Sequence, residues 1–309
     1  MIAVISHDAG GAEILSSYVL ENDLNCIFVV EGPAQKIFER KLGSFDNHPL
    51  EQAIIQSDSI LCGTSWQSDL ELEALRLGRT HGKRSVAFID HWVNYEERFH
   101  RLDGLVLPDE IWVVDEMAEA LAKRTFPNLP IRLFDNPYLK QIRLELANIP
   151  LVESTGVGTI SVLYVCEPIG EHALLRHGDA HHWGYVESEA LHYFLSNCSA
   201  LDQPVGRIVI RPHPSESEGK YDWVLQEFEL PIEIGGHQSL LSDIIESDYV
   251  IGCESMAMVV ALLAEKRVIS SIPPGGRPCV LPHEEIERLQ DLVGSENLTI
   301  MQNGGPNSG

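Results

Sequence analysis

The sequence predicts an α/β protein with two domains, each built on a parallel β-sheet. Its 309 residues correspond to about two domains of ordinary size. Short apolar segments alternate with helical patterns along most of the chain, and this alternation stops once near the middle and then starts again. Strands that alternate with helices pair in parallel and are covered by helices on both faces.

The first domain, residues 1–147, contains six predicted strands. They are the apolar segments Ile2–Ser6, Cys26–Val30, Ser59–Cys62, Ser85–Ile89, Ile111–Val114 and Ile131–Phe134. Helical patterns begin at Ala12, after EGPA, at LELEALRLG and at DEMAEALAKRTF. The last pattern has acidic residues at its start and basic residues near its end, the order that the helix dipole favours.

Residues 148–158 are predicted to link the two domains. The segment ANIPLVESTGVG, from Ala147 to Gly158, has no hydrophobic period and contains the Pro, Gly and Ser residues that are typical of linkers. The C-terminal segment MQNGGPNSG, residues 301–309, is expected to form a flexible tail.

The second domain, residues 159–300, repeats the alternation. Its predicted strands are Ile160–Val165, Arg207–Arg211, Ile232–Ile234, Tyr249–Cys253 and Val268–Ile272. Helical patterns lie between them at YVESEALHYFLSNC, YDWVLQEF, SLLSDIIES and SMAMVVALLAEK. The two domains are therefore expected to be similar in size and architecture.

The composition excludes several classes of protein. The formal net charge is −24, from 22 basic and 46 acidic residues, which disfavours nucleic acid and anionic lipid as partners. The sequence has no apolar run long enough for a transmembrane helix, and MIAVISHDAGG has the pattern of a first strand and not of a signal peptide. Six scattered cysteines without a CxxC motif are typical of a reduced, cytoplasmic protein.

The polar clusters of the sequence follow predicted strands. Because ligands of open parallel sheets bind outside the carboxyl ends of the strands, these clusters predict sites at the sheet edges. Two sheets that present these edges to each other would form an interdomain cleft. We expect a small anionic ligand where local donors, such as those near Arg211, outweigh the negative charge of the chain.

His7 and Asp8 follow the first strand in the segment SHDAGGAE. Gly10 and Gly11 precede the next helix, where glycine permits close approach and helix N–H groups can receive an anion or a hydroxyl. We predict that His7, Gly10 and Gly11 bind substrate. The simpler alternative is a tight turn in which Asp8 caps the helix.

His213 lies between two prolines in the segment RPHPS, directly after a strand of the second domain. Arg211 and His213 each precede a proline, which stiffens their backbone. Arginine is a permanent cation and histidine a titratable one, and both can donate to phosphate. Together with Ser215 they are predicted to bind the phosphate of a ligand.

Glu254 and Ser255 precede an apolar helix further along the chain. Glu254 and Ser255 are predicted to contact the nucleotide-bearing ligand, and Ser255 with the first N–H groups of this helix is expected to seat the same phosphate. The alternative is that the serine only caps the helix. Glu167 lies in the segment EPIGE, after the first strand of this domain. It is predicted to bind substrate at the same sheet edge.

Asp90 ends a buried strand of the first domain and is followed by His91. A partly desolvated carboxylate at this position suits a general base for a sugar hydroxyl, and His91 is predicted to contact the substrate. Asp8 is the other candidate for the base, with Asp90 slightly favoured. Glu96 and Glu97 are predicted to lie on a solvated helix face.

The segment RHGDAHHW is rich in histidine. Its polar residues are His177, Asp179, His181 and His182. A second group of ligands with matching spacing is missing from the sequence, so a hydrogen-bonding loop is favoured over a metal site. Neither a metal nor another cofactor is predicted.

Two parallel-sheet domains, RPHP at a strand end and a serine at the start of a following helix resemble the GT-B glycosyltransferases. The sequence is most similar to bacterial members with an HP motif: sialyltransferases and polysialyltransferases, capsule Kdo transferases and CDP-glycerol polymerases. The resemblance implies two Rossmann-like domains, an acceptor domain followed by a donor domain, in which His213 and Ser255 contact the donor phosphate. It also implies a base in an acidic–acidic–glycine motif, for which Asp90–His91 is the nearest match, without the second acid and the glycine.

The resemblance predicts a metal-independent glycosyltransferase. It would move a sugar from a nucleotide-sugar donor, with CMP-linked sugars among the candidates, to a hydroxyl of a surface glycan or another acceptor. Asp90, Asp8 and His213 are the predicted catalytic residues. Two alternatives stay open: an enzyme like the UDP-GlcNAc 2-epimerases, which share this architecture, and a non-catalytic protein that binds nucleotide sugars.

Overall fold

The computed structural model describes residues 1–65, 68–101, 104–150, 158–235 and 238–294. The chain divides into two compact units, Met1–Gln141 and Ile142–Gly309. The division falls a few residues before the predicted domain boundary. The predicted linker is described only at its two ends, and the predicted tail lies outside the described residues.

Parallel strands form the centre of the first unit. Its strands are β1 (Ile2–Ser6), β2 (Cys26–Val30), β3 (Ser59–Cys62), β4 (Arg84–Phe88), β5 (His100–Arg101), β6 (Gly104–Leu105), β7 (Glu110–Val113) and β8 (Ile131–Leu133). Six of them form one parallel sheet in the order β2-β1-β3-β4-β7-β8, while β5 and β6 form a separate antiparallel pair. The six predicted strands are all present, with their ends shifted by at most one residue.

Helices alternate with these strands. They are α1 (Ala9–Asn22), α2 (Gly32–Leu42), α3 (Leu50–Gln56), α4 (Leu70–Thr80) and α5 (Glu116–Thr125), and α6 (Pro137–Asn148) contains the point at which the two units divide. Asp115 caps α5, because its carboxylate accepts a hydrogen bond from the Ala118 N–H at 2.7 Å. Helix α3 was not predicted, since its 7 residues are too few to show a helical period.

The second unit is also built on a parallel sheet. Its strands are β9 (Ile160–Val165), β10 (Val205–Arg211), β11 (Ile232–Ile234), β12 (Tyr249–Gly252), β13 (Arg267–Ser270) and β14 (Ile286–Arg288). They pair in the order β11-β10-β9-β12-β13-β14. The five predicted strands are present, and β14 was not predicted because the segment IER has a single apolar residue.

The helices of the second unit are α7 (Ile169–His177), α8 (Glu187–Ser196), α9 (Val224–Glu227), α10 (Leu240–Glu246) and α11 (Met256–Leu263). Each sheet packs against apolar side chains of its helices. Val4, Leu15, Phe38 and Phe88 are buried in the first unit, and Ile208, Ile251, Phe194 and Tyr221 in the second. The predicted α/β class with two parallel sheets is confirmed. Within the described ranges, no helix is long and apolar enough to cross a membrane.

The strand order of each sheet reverses beside its first strand. In the first unit, β2 lies on one side of β1 and β3 on the other; in the second, β10 and β12 flank β9 in the same way. The order in the second unit is that of the Rossmann fold. Open sheets bind ligands outside the carboxyl ends of the strands at such reversals, which directs attention to the loops after β1, β3, β9 and β12.

Candidate active site

The first polar cluster follows β1. Asp8 stands at the N-cap of α1, but among the described residues its side chain makes no capping hydrogen bond. Its Oδ1 instead accepts a hydrogen bond from the Ser65 hydroxyl at 2.7 Å and lies 2.9 Å from His7 Nδ1. A proton on Nδ1 completes the second bond and leaves Nε2 as the basic nitrogen of His7. The carboxylate is thus used for contacts between side chains and not for capping.

Glu71 belongs to the same cluster and was not predicted. Its side chain comes from the first turn of α4 and is 3% exposed, and its Oε1 accepts a hydrogen bond from the His7 N–H at 2.8 Å. Burial, with a smaller contribution from the nearby charge of Asp8, raises the pKa of the Glu71 carboxyl to about 7. The sequence could have indicated this burial, because Glu71 lies on the same helical face as Ala74, Leu75 and Gly78, which are buried.

The two glycines at the start of α1 allow parts of this chain to approach each other. A side chain at Gly10 would place its Cβ 1.9 Å from Asp90 Oδ2, and one at Gly11 would lie 3.3 Å from the Gly63 Cα. Within the chain, the groups that approach these glycines closely are Asp90 and the residues that follow β3. Substrate contact at Gly10 and Gly11 stays a prediction.

Asp90 lies in a loop that is held by a buried arginine. Arg98 Nη1 donates to Asp90 Oδ1 at 2.8 Å and to Thr64 Oγ1 at 2.7 Å, and the side chains of both members of the ion pair are largely buried. His91 Nδ1 accepts the Trp92 N–H at 3.0 Å. The structure thus brings Asp90 to the start of α1, near Asp8. Glu96 and Glu97 are exposed, as expected.

The second cluster lies where the strand order of the second unit reverses. Glu167 follows β9, and its Oε2 accepts a hydrogen bond from the Glu254 N–H, in the loop after β12, at 2.8 Å. The Glu254 carboxylate in turn lies 2.5 Å from Arg277 Nη2. Burial raises the pKa of Glu254 and raises that of Glu167 to about 8. These two predicted residues are therefore brought together.

The loop after β10 holds His213 in one orientation. His213 Nδ1 accepts the Ser215 N–H at 3.2 Å and lies 2.7 Å from the Ser215 hydroxyl. In the neutral ring the proton is then on Nε2, which makes that nitrogen a donor. Partial desolvation lowers the pKa of His213, which favours this neutral form.

A buried ion network anchors the same loop. The Glu216 carboxylate accepts the His213 N–H at 2.8 Å and the Tyr221 hydroxyl at 2.6 Å. Lys220 Nζ lies 2.8 Å from Glu216 and 2.5 Å from Glu187 of α8. The two prolines beside His213 were therefore not the only residues that could predict a rigid loop, because Glu216, three residues after His213, also fixes it.

Arg211 and Ser255 have local partners. The Arg211 guanidinium is ion-paired with Asp243 of α10 and donates to the Gln238 carbonyl at 3.0 Å. Ser255 caps α11, since its hydroxyl accepts the Ala257 N–H at 3.2 Å. The structure therefore gives both residues a positioning role, and their contact with a phosphate stays a prediction.

The histidine-rich segment RHGDAHHW forms the end of α7 and a turn. The rings of His177 and His182 stack at 3.6 Å, and both lie near Trp183. In the part of the chain that the structure describes, no group of three His, Cys, Asp or Glu residues could hold a metal ion.

A cavity of about 600 Å³ is lined by residues of α8 and by Trp223. Its lining includes His192, Tyr193 and Trp223, and it contains none of the predicted site residues. We assign the candidate site to the sheet edges and not to this cavity, because the polar side chains converge at the edges.

Comparison with known proteins shows what this fold is similar to. No protein-family model matches the sequence, and no curated protein does. Acinetobacter baumannii MurG is 8% identical with a TM-score of 0.52, and 97% of this chain aligns with 90% of it. The UDP-GlcNAc 2-epimerase from Methanocaldococcus jannaschii is 11% identical with a TM-score of 0.54, over 99% of this chain and 94% of that one. The glycotransferase of kitacinnamycin is 12% identical with a TM-score of 0.55, over 99% and 91%.

These similarities extend over nearly the whole of each chain. At such low identity the likeness is one of fold. It confirms the GT-B fold with two Rossmann-like domains that the sequence predicted.

The raised pKa of Glu167 predicts a pH-dependent stability. The folded protein keeps this proton up to about pH 8, whereas an unfolded chain loses it near the ordinary value for Glu, so stability falls as pH rises between those values. The difference in unfolding free energy between Glu167→Gln and wild type should therefore change in favour of the variant by on the order of 2–4 kcal/mol from about pH 5 to about pH 9. Urea unfolding at both pH values measures this change.

The matched control is Glu285→Gln, which changes an exposed carboxyl of the same unit. Its difference from wild type should be the same at both pH values. An equal effect of pH on the two variants would show that Glu167 ionises normally in the folded protein.

Proposed function

We propose that the protein is a glycosyltransferase that moves a sugar from a nucleotide-sugar donor to a glycan hydroxyl. The observation that carries this proposal is the carboxyl edge of the second sheet. Strands β10, β9 and β12 are neighbours there, and their loops hold the oriented ring of His213, the carboxyl of Glu167 and the α11 start at Ser255. Edges of this kind bind nucleotides.

His213 and Ser255 are the proposed phosphate contacts. The His213 Nε2–H donates to a phosphate oxygen, while Ser215 and Glu216 keep the ring and the backbone in place. The first N–H groups of α11 add the favourable end of a helix dipole. Arg211 supports the loop through its ion pair with Asp243, and Glu254 and Glu167 face the remaining hydroxyls of the donor.

The charge distribution of the first unit supports this choice of donor site. A helix start usually attracts an anion, but Asp90 Oδ2 occupies the space beside Gly10. Asp8 stands at the same helix start. A phosphate there would meet two carboxylates, so we place the donor in the second unit and the acceptor in the first.

Asp8 is the proposed general base. The Asp90 carboxylate has its Oδ1 on the buried guanidinium of Arg98 and its Oδ2 beside Gly10, contacts that suit a structural role better than proton transfer. Asp8 contacts the Ser65 hydroxyl and the His7 ring instead. It therefore takes the proton of the acceptor hydroxyl, with His7 beside the substrate, and Asp90 serves to position the start of α1.

The proposal assigns no resident metal to the transfer. The activation barrier of the transfer is then lowered by His213 and the start of α11, which bind the leaving phosphate, and by Asp8, which accepts the proton of the acceptor hydroxyl. The acidic composition of the chain suits a small-molecule donor better than a nucleic acid.

An epimerase that acts on the free nucleotide sugar is the second candidate. The fold similarity to the Methanocaldococcus enzyme, which spans 99% of this chain, is the observation that favours it. An epimerase changes the donor without any acceptor, a transferase needs one, and a binding protein leaves the donor unchanged. Incubation with CMP-, CDP- and UDP-sugars, with and without glycan acceptors, separates the three.

His213→Ala should weaken nucleotide binding by about tenfold to a hundredfold, because a hydrogen bond to a charged group is lost. Isothermal titration with CMP, CDP, UDP and GDP first identifies the preferred nucleotide and then compares the variants. His81→Ala removes an exposed histidine of the first unit and should leave the affinity unchanged. Equal affinity of wild type and His213→Ala would make His213 a structural residue.

Asp8→Asn should lower turnover by at least about a hundredfold while donor affinity is kept, because it removes the base. Asp90→Asn should act mainly on stability, since it leaves the buried Arg98 without its counter-ion, a change that costs about 3–5 kcal/mol. Turnover and thermal unfolding are measured for both variants. If a fully folded Asp90→Asn variant loses turnover while Asp8→Asn stays active, Asp90 is the base and Asp8 is the positioning residue.

A further inference from the structure

The cavity beside α8, called the α8 cavity below, has no part in the proposed reaction. One face of α8 lines it with residues about one turn apart, Ser188, His192 and Ser196, and with Tyr193. Trp223, directly before α9, completes the aromatic part of the lining. Its volume of about 600 Å³ is in the range of small-molecule sites, so we ask which ligand its side chains suit.

Aromatic rings are gathered at this cavity. The rings of His192 and Trp223 are 15° from parallel, with their centroids 6.3 Å apart. The Phe228 ring packs at an angle against both, at 5.3 Å and 6.3 Å. Tyr193, Trp223 and Phe228 are partly buried and pack on the core of the second unit. The core therefore holds the aromatic side chains from one side, while Tyr193 and Trp223 also line the cavity.

The imidazole of His192 is fixed by contacts at both of its nitrogens. Nε2 lies 3.0 Å from the Glu227 carboxylate of α9, and Nδ1 lies 3.3 Å from the Ser196 hydroxyl. These contacts link α8 to α9 beside the cavity. A ligand would therefore meet side chains that are already in position, which lowers the entropic cost of binding.

Two polar groups of the lining are unused. Among the described residues, the Tyr193 hydroxyl and the Trp223 indole N–H have no hydrogen-bond partner, and neither is a buried atom. Burial of part of the side chain raises the pKa of Tyr193, so its hydroxyl stays neutral and can donate as well as accept. The two largest aromatic side chains of the cavity thus each offer a free polar group beside an apolar ring.

Charge narrows the class of ligand. The described residues of the lining include Glu189 and contain no Lys or Arg, and Glu227 lies against His192. Anionic groups such as phosphate are recognised chiefly by Arg and Lys, so a nucleotide is disfavoured here. An uncharged sugar fits both features of the cavity, because its C–H face is attracted to the negative face of an aromatic ring and its hydroxyls bind polar groups.

We propose that the α8 cavity is a second, non-catalytic site that binds an uncharged oligosaccharide. Trp223 stacks on one sugar ring, and the Tyr193 hydroxyl and the Trp223 N–H bind hydroxyls of the sugar. The inference goes beyond the proposed function, because none of these residues belongs to the proposed donor or acceptor site and binding here needs no transfer.

Fluorine NMR of the full chain labelled with 5-fluorotryptophan tests the site directly. The chain has five tryptophans, and the signal of Trp223 is the one that Trp223→Phe removes. The probes are chitotetraose, maltotetraose and cellotetraose, which carry no charge. At least one of them should shift the Trp223 signal with a dissociation constant of about 1 mM or below. CMP at the same concentration should leave this signal in place.

Two variants trace the binding to the aromatic side chains, measured by isothermal titration with the best tetrasaccharide. Trp223→Ala should weaken it at least about fivefold, because the stacking face is lost. Tyr193→Phe keeps the ring and the packing but removes the hydroxyl, and should weaken it about threefold to tenfold. Leu225→Ala, an exposed change on α9 outside the cavity lining, should leave the affinity unchanged. Thermal unfolding shows which variants are folded, and Tyr193→Phe keeps the test valid if Trp223→Ala is not.

The inference fails if no tetrasaccharide shifts the Trp223 signal, if CMP alone shifts it, or if a folded Tyr193→Phe binds as tightly as wild type. Nucleotide titration of the same samples keeps this result separate from the proposed function. Nucleotide binding without binding of any tetrasaccharide at Trp223 would refute only the present inference. Tetrasaccharide binding at Trp223 without binding of any nucleotide would support it and refute the transferase proposal.

Discussion

A strand end leaves backbone N–H groups without a ladder partner, and both sites depend on how this protein satisfies them. At three strand ends of this protein, a glutamate carboxylate accepts a hydrogen bond from such an N–H group. Glu71 accepts from His7 after β1, Glu216 from His213 after β10, and Glu167 from Glu254 after β12. Because Pro212 has no N–H, His213 carries the first donor after β10.

These three glutamates also connect each sheet edge to its surroundings. Glu71 comes from the first turn of α4, Glu216 is bound by Lys220 and Tyr221, and Glu167 joins neighbouring strand ends. Each reactive side chain is therefore fixed through its backbone as well as its own contacts. The proposed division of labour follows: a neutral imidazole and a helix start favour a phosphate in the second unit, while carboxyls favour hydroxyls in the first.

Local patterns were enough to predict most of the fold. Runs such as Ile2–Ser6 and Ile160–Val165 are apolar, short and bounded by polar residues, so their strands were predicted at the observed positions. Pro-His-Pro and Asp8-Ala-Gly-Gly likewise marked strand ends that carry polar clusters. The helices α3, α6 and α7 and the strands β5, β6 and β14 were not predicted. Those with weak local patterns, such as α3 and β14, are stabilised by packing on neighbours.

Partners of the site residues could not be predicted in the same way. The pairing of Arg98 with Asp90 depends on how one loop folds back, and that of Arg211 with Asp243 on the packing of α10 against the sheet. Glu71 lies 64 positions from His7, and its importance appears only when α4 is placed beside β1. A sequence shows which side chains end at a sheet edge, but their charges and proton states are set by residues distant in the chain.

The central claim is that the donor's phosphate binds at the loops of the second sheet. Hydrogen–deuterium exchange of the whole chain, with and without the preferred nucleotide, tests it most directly. The account predicts slower exchange of backbone amides at Ser215–Glu216 and at the start of α11, with no change at Ala9–Ala12. Protection at the start of α1, with none in the loops after β10 and β12, would contradict it.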